Sequence, residues 1–198
     1  MRILGLSFGF HDAGACMLQD STIEFAGHSE RYSKEKNDPW INHELINAAI
    51  EGGKPDVIVL HEKAWLKKLR NFYGRNWNAL REPTQRQWIK KYYPQLKDIP
   101  IKDYLHHETH AAAGVLSSKY DECAIMVIDA IGEFDTASIW EWKEGKLKKL
   151  HSIKFPSSLG LFYSAVTHHV GLKPMEDEYI LMGMAAYGKP ENWKTVRK

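Results

Sequence analysis

The chain has 198 residues, of which 43% are hydrophobic, 12% aromatic and 26% charged. A chain of this size and apolar content buries one good core or two small ones, which excludes a disordered segment and a small disulfide-stabilised scaffold. Its formal net charge of +2 excludes a whole-protein field that would attract nucleic acid or an anionic membrane, so such a partner would need a local patch.

The first part of the chain predicts strands, a loop and a helix. Short apolar segments separated by turn-forming residues fit a three-strand meander, with strands over residues 2–7, 14–19 and 22–28. The polar segment SERYSKEKND follows as a loop. A helix over 41–50 and a strand over 56–62, buried on both faces, come next.

A basic and aromatic region at about 64–100 predicts helices that form an inserted subregion. After it come a helix within HETHAAAGVLSSKY, an apolar strand over 122–130 and a hairpin that turns at Glu144 and Gly145. Two further helices follow, the first with Ser157 or Ser158 as its N-cap. This order of elements predicts the α/β class.

The two cysteines, Cys16 and Cys123, lie in apolar runs far apart in the sequence. We expect buried free thiols in a reducing compartment rather than a disulfide. Glycine, histidine and aspartate interrupt the N-terminal segment before a signal-peptide core is complete. The sequence has no apolar run of about 18 residues, the length that a membrane span needs. These features predict a soluble, cytoplasmic protein.

The segment HHETHAAAG, residues 106–114, contains histidines at helical i, i+4 spacing. In a helix, His106 and His110 project from one face and can share a metal ion, whereas His107 lies about 100° round the axis. The segment is not a zincin box, which would need a histidine at Ala111. A lone pair at this spacing also occurs as a surface or packing coincidence, so the pair by itself leaves both interpretations open.

A candidate third ligand, Asp129, ends the apolar strand CAIMVID. Ligands of α/β sheets bind outside the carboxyl ends of strands, so a carboxylate there can reach a site. The alternative is that Asp129 only caps the turn. Two imidazoles and one carboxylate leave coordination positions open, which suits catalysis or binding of nucleotide phosphate better than a closed structural site.

The turn from Ser7 to Gly14 contains glycines, a histidine and an aspartate. Its glycine-permitted backbone and exposed amides would suit a phosphate cradle, although an ordinary hairpin turn explains the sequence equally well. His11 is unusual for a plain turn. It is a candidate for proton transfer or for hydrogen bonding to a transferred group.

Two other features have a functional and a structural interpretation. Arg31, Lys34 and Lys36 form either a solvated charged loop or an edge that binds an anion such as phosphate. Glycines in the C-terminal helical segments indicate a close approach of another group, at Gly160, Gly183 and Gly188. The apolar residues around these glycines are expected to belong to the core.

Six motifs together resemble the N-terminal region of the O-carbamoyltransferase family, which modifies nodulation factors and antibiotics and is related to the tRNA threonylcarbamoyl-transfer protein. They are GFHDAGACML, SERYSKEKND, HHETHAAAG, VIDAIGEFDTASIW, SLGLFYSAVTHHVGL and EYILMGMAAYGKP. The resemblance implies an actin-like ATPase fold of the ribonuclease H-like type, in which two lobes close over a nucleotide. It also implies transfer of a carbamoyl group to a substrate hydroxyl from carbamoyladenylate, which a second domain makes from ATP and carbamoyl phosphate.

The resemblance assigns a metal site and a catalytic residue. The family's metal-binding histidines match His106 and His110, and its aspartate matches Asp129, with iron or another divalent ion as the metal. The histidine near the transferred carbamoyl group matches His11. We expect the metal to stabilise charge on the leaving phosphate and His11 to accept the proton of the acceptor hydroxyl. Loop amides would stabilise the developing oxyanion.

The remaining assignments concern the nucleotide. A family lysine matches Lys36, and Gly132 and Glu133 match the loop that contacts the nucleotide or the acceptor. The chain departs from the family pattern at Asn37, where histidine is usual, and at Ile180, where lysine is usual.

The resemblance further implies that residues 1–198 form a single N-terminal lobe with an insert at about 64–100. Catalysis would then need a second chain with the C-terminal lobe and the adenylate-forming domain. An alternative is an inactive nucleotide- and metal-binding lobe that serves as a regulatory or assembly subunit. Another is transfer to nucleic acid bound by the basic insert, whose residues otherwise form a helical surface with half-buried aromatic side chains.

Overall fold

The computed structural model describes residues 1–191, and the chain divides into two compact units. The first unit comprises Met1–Lys119 and Gly132–Phe134. The second comprises Tyr120–Ile131 and the chain from Asp135 onward. Residues 192–198, at the end of the predicted lobe, lie outside the described residues. Strands and helices occur in both units, which confirms the predicted α/β class.

The first unit is built on a five-stranded mixed sheet with the order β3-β2-β1-β4-β5. The strands are β1 (Arg2–Ser7), β2 (Gly14–Gln19), β3 (Thr22–His28), β4 (Val57–Leu60) and β5 (Ile101–Asp103). The first three form the predicted antiparallel meander with the predicted bounds. β4 pairs parallel with β1, and β5 pairs parallel with β4. Strand β5 was not predicted, because its three residues show too little of an alternating pattern.

Helices and alternating strand side chains build the core of the first unit. Because successive strand residues point to opposite faces, β1 buries Leu4 and Leu6. Helix α1 (Glu30–Ser33) is a single turn within the segment predicted as a loop. Helix α2 (His43–Ala49) lies within the predicted range, and the Asn42 side chain caps its first turn by accepting the Leu45 amide at 2.8 Å.

The basic insert is helical, as predicted, with α3 (Ala64–Tyr73), α4 (Trp77–Arg81) and α5 (Gln85–Tyr92). Ile89 of α5 is fully buried in the core. The aromatic side chains of α3 and α4 are more exposed than the predicted half-buried surface, with exposed fractions of 63% for Trp65, 52% for Phe72, 72% for Tyr73 and 54% for Trp77. Helix α6 (His106–Leu116) follows β5 in the same unit.

The second unit contains a three-stranded antiparallel sheet, with β6 (Cys123–Ile128), β7 (Asp135–Lys143) and β8 (Lys146–Lys154) in that order. The β7–β8 hairpin turns at Glu144 and Gly145, as predicted. Both residues have positive φ, 51° and 70°, as a two-residue type I′ turn requires.

Two helices follow the hairpin of the second unit, α7 (Leu159–His169) and α8 (Glu178–Ala185). Ser158 is the N-cap of α7, and its Oγ accepts the Leu161 amide at 3.0 Å. Among residues 1–191, none of the helices has the length and apolar content needed to cross a membrane.

Candidate active site

The parallel strands of the first unit bring three histidines to one edge of the sheet. β1, β4 and β5 are neighbours with the same direction, so their carboxyl ends meet at that edge. His11 lies in the turn after β1, His61 follows β4 directly, and His106 comes three residues after β5. The edge is therefore the candidate active site of this unit.

The first turns of α6 place the predicted histidine pair on one face. The Nε2 atoms of His106 and His110 are 3.0 Å apart, and their ring centroids are 4.7 Å apart. His107 points elsewhere, since it is only 1% exposed. These positions confirm the predicted helical face.

The donor set of this pair fits a divalent metal. Two imidazole nitrogens that each lie about 2.1 Å from one ion are about 3.0 to 3.4 Å apart, depending on the angle between them. The Nε2 separation of 3.0 Å lies at the lower end of that range. The same separation is compatible with a hydrogen bond between the rings. Metal binding therefore stays a prediction that the geometry of the pair permits.

His61 is a further residue of this edge, and it was not predicted from the sequence. Its ring centroid lies 5.5 Å from that of His106. Burial is the main cause that lowers the pKa of His61 to about 4, so its imidazole is neutral near pH 7. Its position at the end of an apolar strand could have identified it as a candidate site residue, because the same kind of position identified Asp129.

Glu133 and Gly132 make close contacts with the start of α6. The Glu133 side chain is 6% exposed. Its Oε1 accepts the Lys63 amide at 2.8 Å, and both carboxylate oxygens lie 3.2 Å from the His106 amide nitrogen. A Cβ added to Gly132 would lie 3.1 Å from Cβ of His106, so only glycine fits there without displacing its neighbour. The Glu133 carboxylate is thus bonded to backbone amides of its own unit.

Asp129 belongs to the second unit, where it follows β6. Its Oδ1 accepts the amide of the next residue, Ala130, at 2.7 Å. The role of Asp129 as a metal ligand stays a prediction. Gly160 of α7 allows a close approach to this segment, since an added Cβ would lie 2.6 Å from backbone atoms of Ala130.

Of the three glycines that the sequence places in C-terminal helical segments, only Gly160 has such a tight contact, and Gly188 lies after the end of α8. An added Cβ at Gly183 would meet nothing within 4 Å, and one at Gly188 would make an ordinary 3.5 Å contact with the carbonyl oxygen of Ala185. The expectation of a close approach is therefore confirmed at Gly160 and is wrong at the other two positions. Nor do the apolar residues of α8 belong to the core, because the helix has no buried residue.

The turn after β1 presents His11 but not the expected row of free amides. His11 Nδ1 lies 2.8 Å from Oδ2 of Asp12, and both side chains are nearly half exposed. The amides of Gly9 and Ala13 donate to carbonyl oxygens of the segment 38–39, at 2.7 and 2.8 Å. The predicted cradle is wrong for these two amides because a neighbouring loop already accepts their hydrogen bonds.

The charged segment after β3 lies at the surface. Lys36 is exposed, and the Arg31 side chain is 80% exposed. The Lys34 ammonium donates to the Arg31 carbonyl at 2.8 Å. These features describe a solvated segment, and anion binding by Lys36 stays a prediction.

Three relatives show how this chain compares with longer proteins. An uncharacterized protein of Synechocystis sp. is 34% identical over 96% of this chain and 35% of its own length. An uncharacterized protein of Methanocaldococcus jannaschii is 26% identical over 93% of this chain and 33% of its own length. The nodulation protein NolO of Bradyrhizobium diazoefficiens is 33% identical over 46% of this chain and 16% of its own length. The chain therefore spans about a third of the length of the first two relatives.

The similarity to a known family covers most of the chain. The family model described as "Carbamoyltransferase N-terminus" matches residues 57–196. The match includes α6, the loop with Gly132 and Glu133, and the whole described part of the second unit. The chain belongs to the carbamoyltransferase N-terminus family.

Proposed function

We propose that this chain is the N-terminal part of an O-carbamoyltransferase that transfers a carbamoyl group from carbamoyladenylate to a substrate hydroxyl. The carbamoyladenylate is made from ATP and carbamoyl phosphate. The family match over residues 57–196 carries this proposal. The histidine-rich edge of the first sheet supports it, because imidazoles at the carboxyl ends of parallel strands suit proton transfer and metal binding.

An actin-like lobe of the ribonuclease H-like type is part of the proposal. Its support is the sheet of the first unit, in which an antiparallel meander is extended by two parallel strands in the order β3-β2-β1-β4-β5.

His11 is the proposed general base of the transfer. If Nδ1–H donates to the Asp12 carboxylate 2.8 Å away, Nε2 is left to accept the proton of the acceptor hydroxyl. The acceptor oxygen then forms a bond to the carbamoyl carbon, and the bond between that carbon and the phosphate oxygen of the adenylate breaks. The half-exposed position of His11 leaves its ring open to an acceptor.

His106, His110 and Asp129 are the proposed ligands of a divalent metal, with iron or a substitute ion in the site. When bound, the metal would contact phosphate oxygens and stabilise the charge of the leaving phosphate. The supporting observation is the 3.0 Å separation of the two histidine Nε2 atoms.

Contacts with the nucleotide are proposed for Lys36 and for the loop of Gly132 and Glu133. Lys36 is exposed and would neutralise phosphate charge. Because the Glu133 carboxylate already accepts backbone hydrogen bonds, this loop would face the nucleotide with its main chain.

A further polypeptide with the C-terminal lobe and an adenylate-forming domain is the proposed partner. Relatives about three times as long as this chain support that proposal. A cytoplasmic location is also proposed, since Cys16 and Cys123 are both free thiols.

The exposed aromatic side chains of α3 and α4 favour a second candidate partner, single-stranded nucleic acid. Trp65, Tyr73 and Trp77 are more than half exposed and could stack with bases. Binding of single-stranded DNA or tRNA that weakens with salt would support this candidate. Absence of binding at low salt would exclude it.

The decisive experiment mixes the chain with ATP, carbamoyl phosphate and the carboxyl-terminal remainder of the Synechocystis relative. Mass spectrometry would follow carbamoyladenylate and its consumption when hydroxyl acceptors are added. Consumption that requires this chain and is lost in His11→Ala supports the proposal. Consumption at the same rate without the chain contradicts it.

A further inference from the structure

Glu133 connects three separate segments of the first unit. It belongs to the short segment Gly132–Phe134, and its carboxylate accepts the amide of Lys63, which follows β4, and the amide of His106, the first residue of α6. The distances are 2.8 Å to Lys63 and 3.2 Å to His106. The first amides of a helix have no partner within the helix, and a negative charge there is favourable. Glu133, which is not part of the helix, thus stabilises the first turn of α6 through this hydrogen bond.

Arg70 of α3 holds the same segment from its other side. Its guanidinium Nη1 donates to the carbonyl oxygens of Gly132 and Glu133, the second at 2.9 Å. Burial lowers the pKa of Arg70, while the carboxylates of Glu62 and Glu133 oppose that change. Arginine nevertheless stays protonated in proteins, so the two bonds are charge-assisted.

The segment held by Arg70 lies directly against the histidine helix. A Cβ on Gly132 would lie 3.1 Å from Cβ of His106 and 3.1 Å from Cδ2 of His107. Such close packing means that a shift of this segment displaces the first turn of α6. Because the His110 ring stands against the His106 ring, with centroids 4.7 Å apart, that shift would change the geometry of the pair.

We infer that Glu133 and Arg70 are positioning residues that fix the first turn of α6 and thereby the orientation of the His106 and His110 imidazoles. Glu133 acts through the His106 amide, and Arg70 acts through the carbonyls of Gly132 and Glu133. The consequence for metal binding rests on the proposed function. Residues that orient metal ligands from outside typically contribute a factor of about 10 to 100 in metal affinity.

The test titrates the metal-free full chain with Co²⁺ and records its visible spectrum. Glu133→Gln and Arg70→Gln are compared with Glu24→Gln, which breaks a carboxylate–guanidinium pair with Arg2 at the opposite end of β1. We expect about 10-fold weaker Co²⁺ binding and a changed spectrum in the first two variants, with wild-type values in Glu24→Gln. Wild-type affinity and spectrum in both Glu133→Gln and Arg70→Gln would overturn the inference.

A measurement without metal separates this inference from the proposed function. Ring NMR signals of His106 and His110 in the metal-free chain should shift in Glu133→Gln and stay unchanged in Glu24→Gln. Arg70→Lys keeps the positive charge but loses the guanidinium geometry. This conservative change should shift the same ring signals by less than Glu133→Gln does. If the wild-type chain binds no Co²⁺, the metal proposal fails, and the ring signals still decide the positioning role. Unchanged ring signals in Glu133→Gln and Arg70→Lys would refute that role.

Discussion

His11 Nδ1 lies 2.8 Å from Oδ2 of Asp12 in the turn that follows the first strand. A carboxylate at this distance selects the tautomer with the proton on Nδ1 and leaves Nε2 as the basic nitrogen. The two residues are adjacent in sequence, and Asp12 adopts a positive φ of 48°. The contact between Nδ1 and the carboxylate supports the proposal that His11 is a proton acceptor.

We predict that His11→Ala lowers carbamoyl transfer by about 10² to 10⁴-fold in the assembled enzyme, because a general base contributes about that factor. Asp12→Asn should have a smaller effect, since it keeps the histidine and weakens only its orientation. Both rates would be measured with saturating ATP and carbamoyl phosphate. His151→Ala, a replacement of an exposed histidine on β8, is the control. Wild-type rates in His11→Ala would exclude the general-base role.

We predict that His106→Ala and His110→Ala each reduce the bound divalent metal to a small fraction of the wild-type content. Either change removes one of two nitrogens that are 3.0 Å apart, and the one imidazole and one carboxylate that remain of the proposed ligands bind an ion weakly. Elemental analysis after gel filtration would measure the metal. His28→Ala, at the end of β3, serves as the control. Unchanged metal content in both α6 variants would refute the metal assignment.

Gly160→Ala should destabilise the second unit by about 1 to 3 kcal/mol, the usual cost of overpacking. The added methyl group would lie 2.6 Å from backbone atoms of Ala130, where no flexible side chain can give way. Gly183→Ala is a matched control on α8, because its methyl group would meet nothing within 4 Å. Alanine favours a helix over glycine, so this control should be neutral or stabilising by up to about 1 kcal/mol. Urea unfolding of both variants checks the difference, and equal midpoints would contradict it.

Acidification should destabilise the metal-free first unit through His61. Burial lowers the pKa of His61 to about 4 in the folded chain, against about 6.5 in an unfolded one. Between these values the unfolded chain binds more protons, so the free energy of unfolding falls as the pH decreases from about 6.5 to about 4.

The expected contribution of His61 is a loss of about 2 kcal/mol on going from pH 7 to pH 5. Urea unfolding in the presence of a chelator, at both pH values, would measure it. Glutamine at position 61 cannot take up this proton. The His61→Gln variant should therefore lose about 2 kcal/mol less unfolding free energy than the wild-type chain between pH 7 and pH 5. An equal pH dependence in the variant and the wild-type chain would show that His61 does not titrate in this way.

Much of the fold follows from local patterns. Short apolar segments bounded by turn formers predicted β1, β2 and β3, because each segment is too short for an amphipathic helix. The spacing of four between His106 and His110 predicted their common helical face. Strand β5 was missed, since three residues carry almost no periodic signal and gain their partner only when β4 is in place.

The sequence by itself determined the α/β class, the meander, the histidine pair and, through its motifs, the family. Only the tertiary structure decided that the Gly9 and Ala13 amides are already hydrogen-bonded and that His61 lies beside His106. It also decided that the Glu133 carboxylate bonds to the start of α6. The physical reason is the distance in sequence between the interacting residues. Within one helix or strand, the spacing of the residues shows which side chains share a face. The partner of a buried amide or carboxylate comes from segments tens of residues away, and packing alone brings them together.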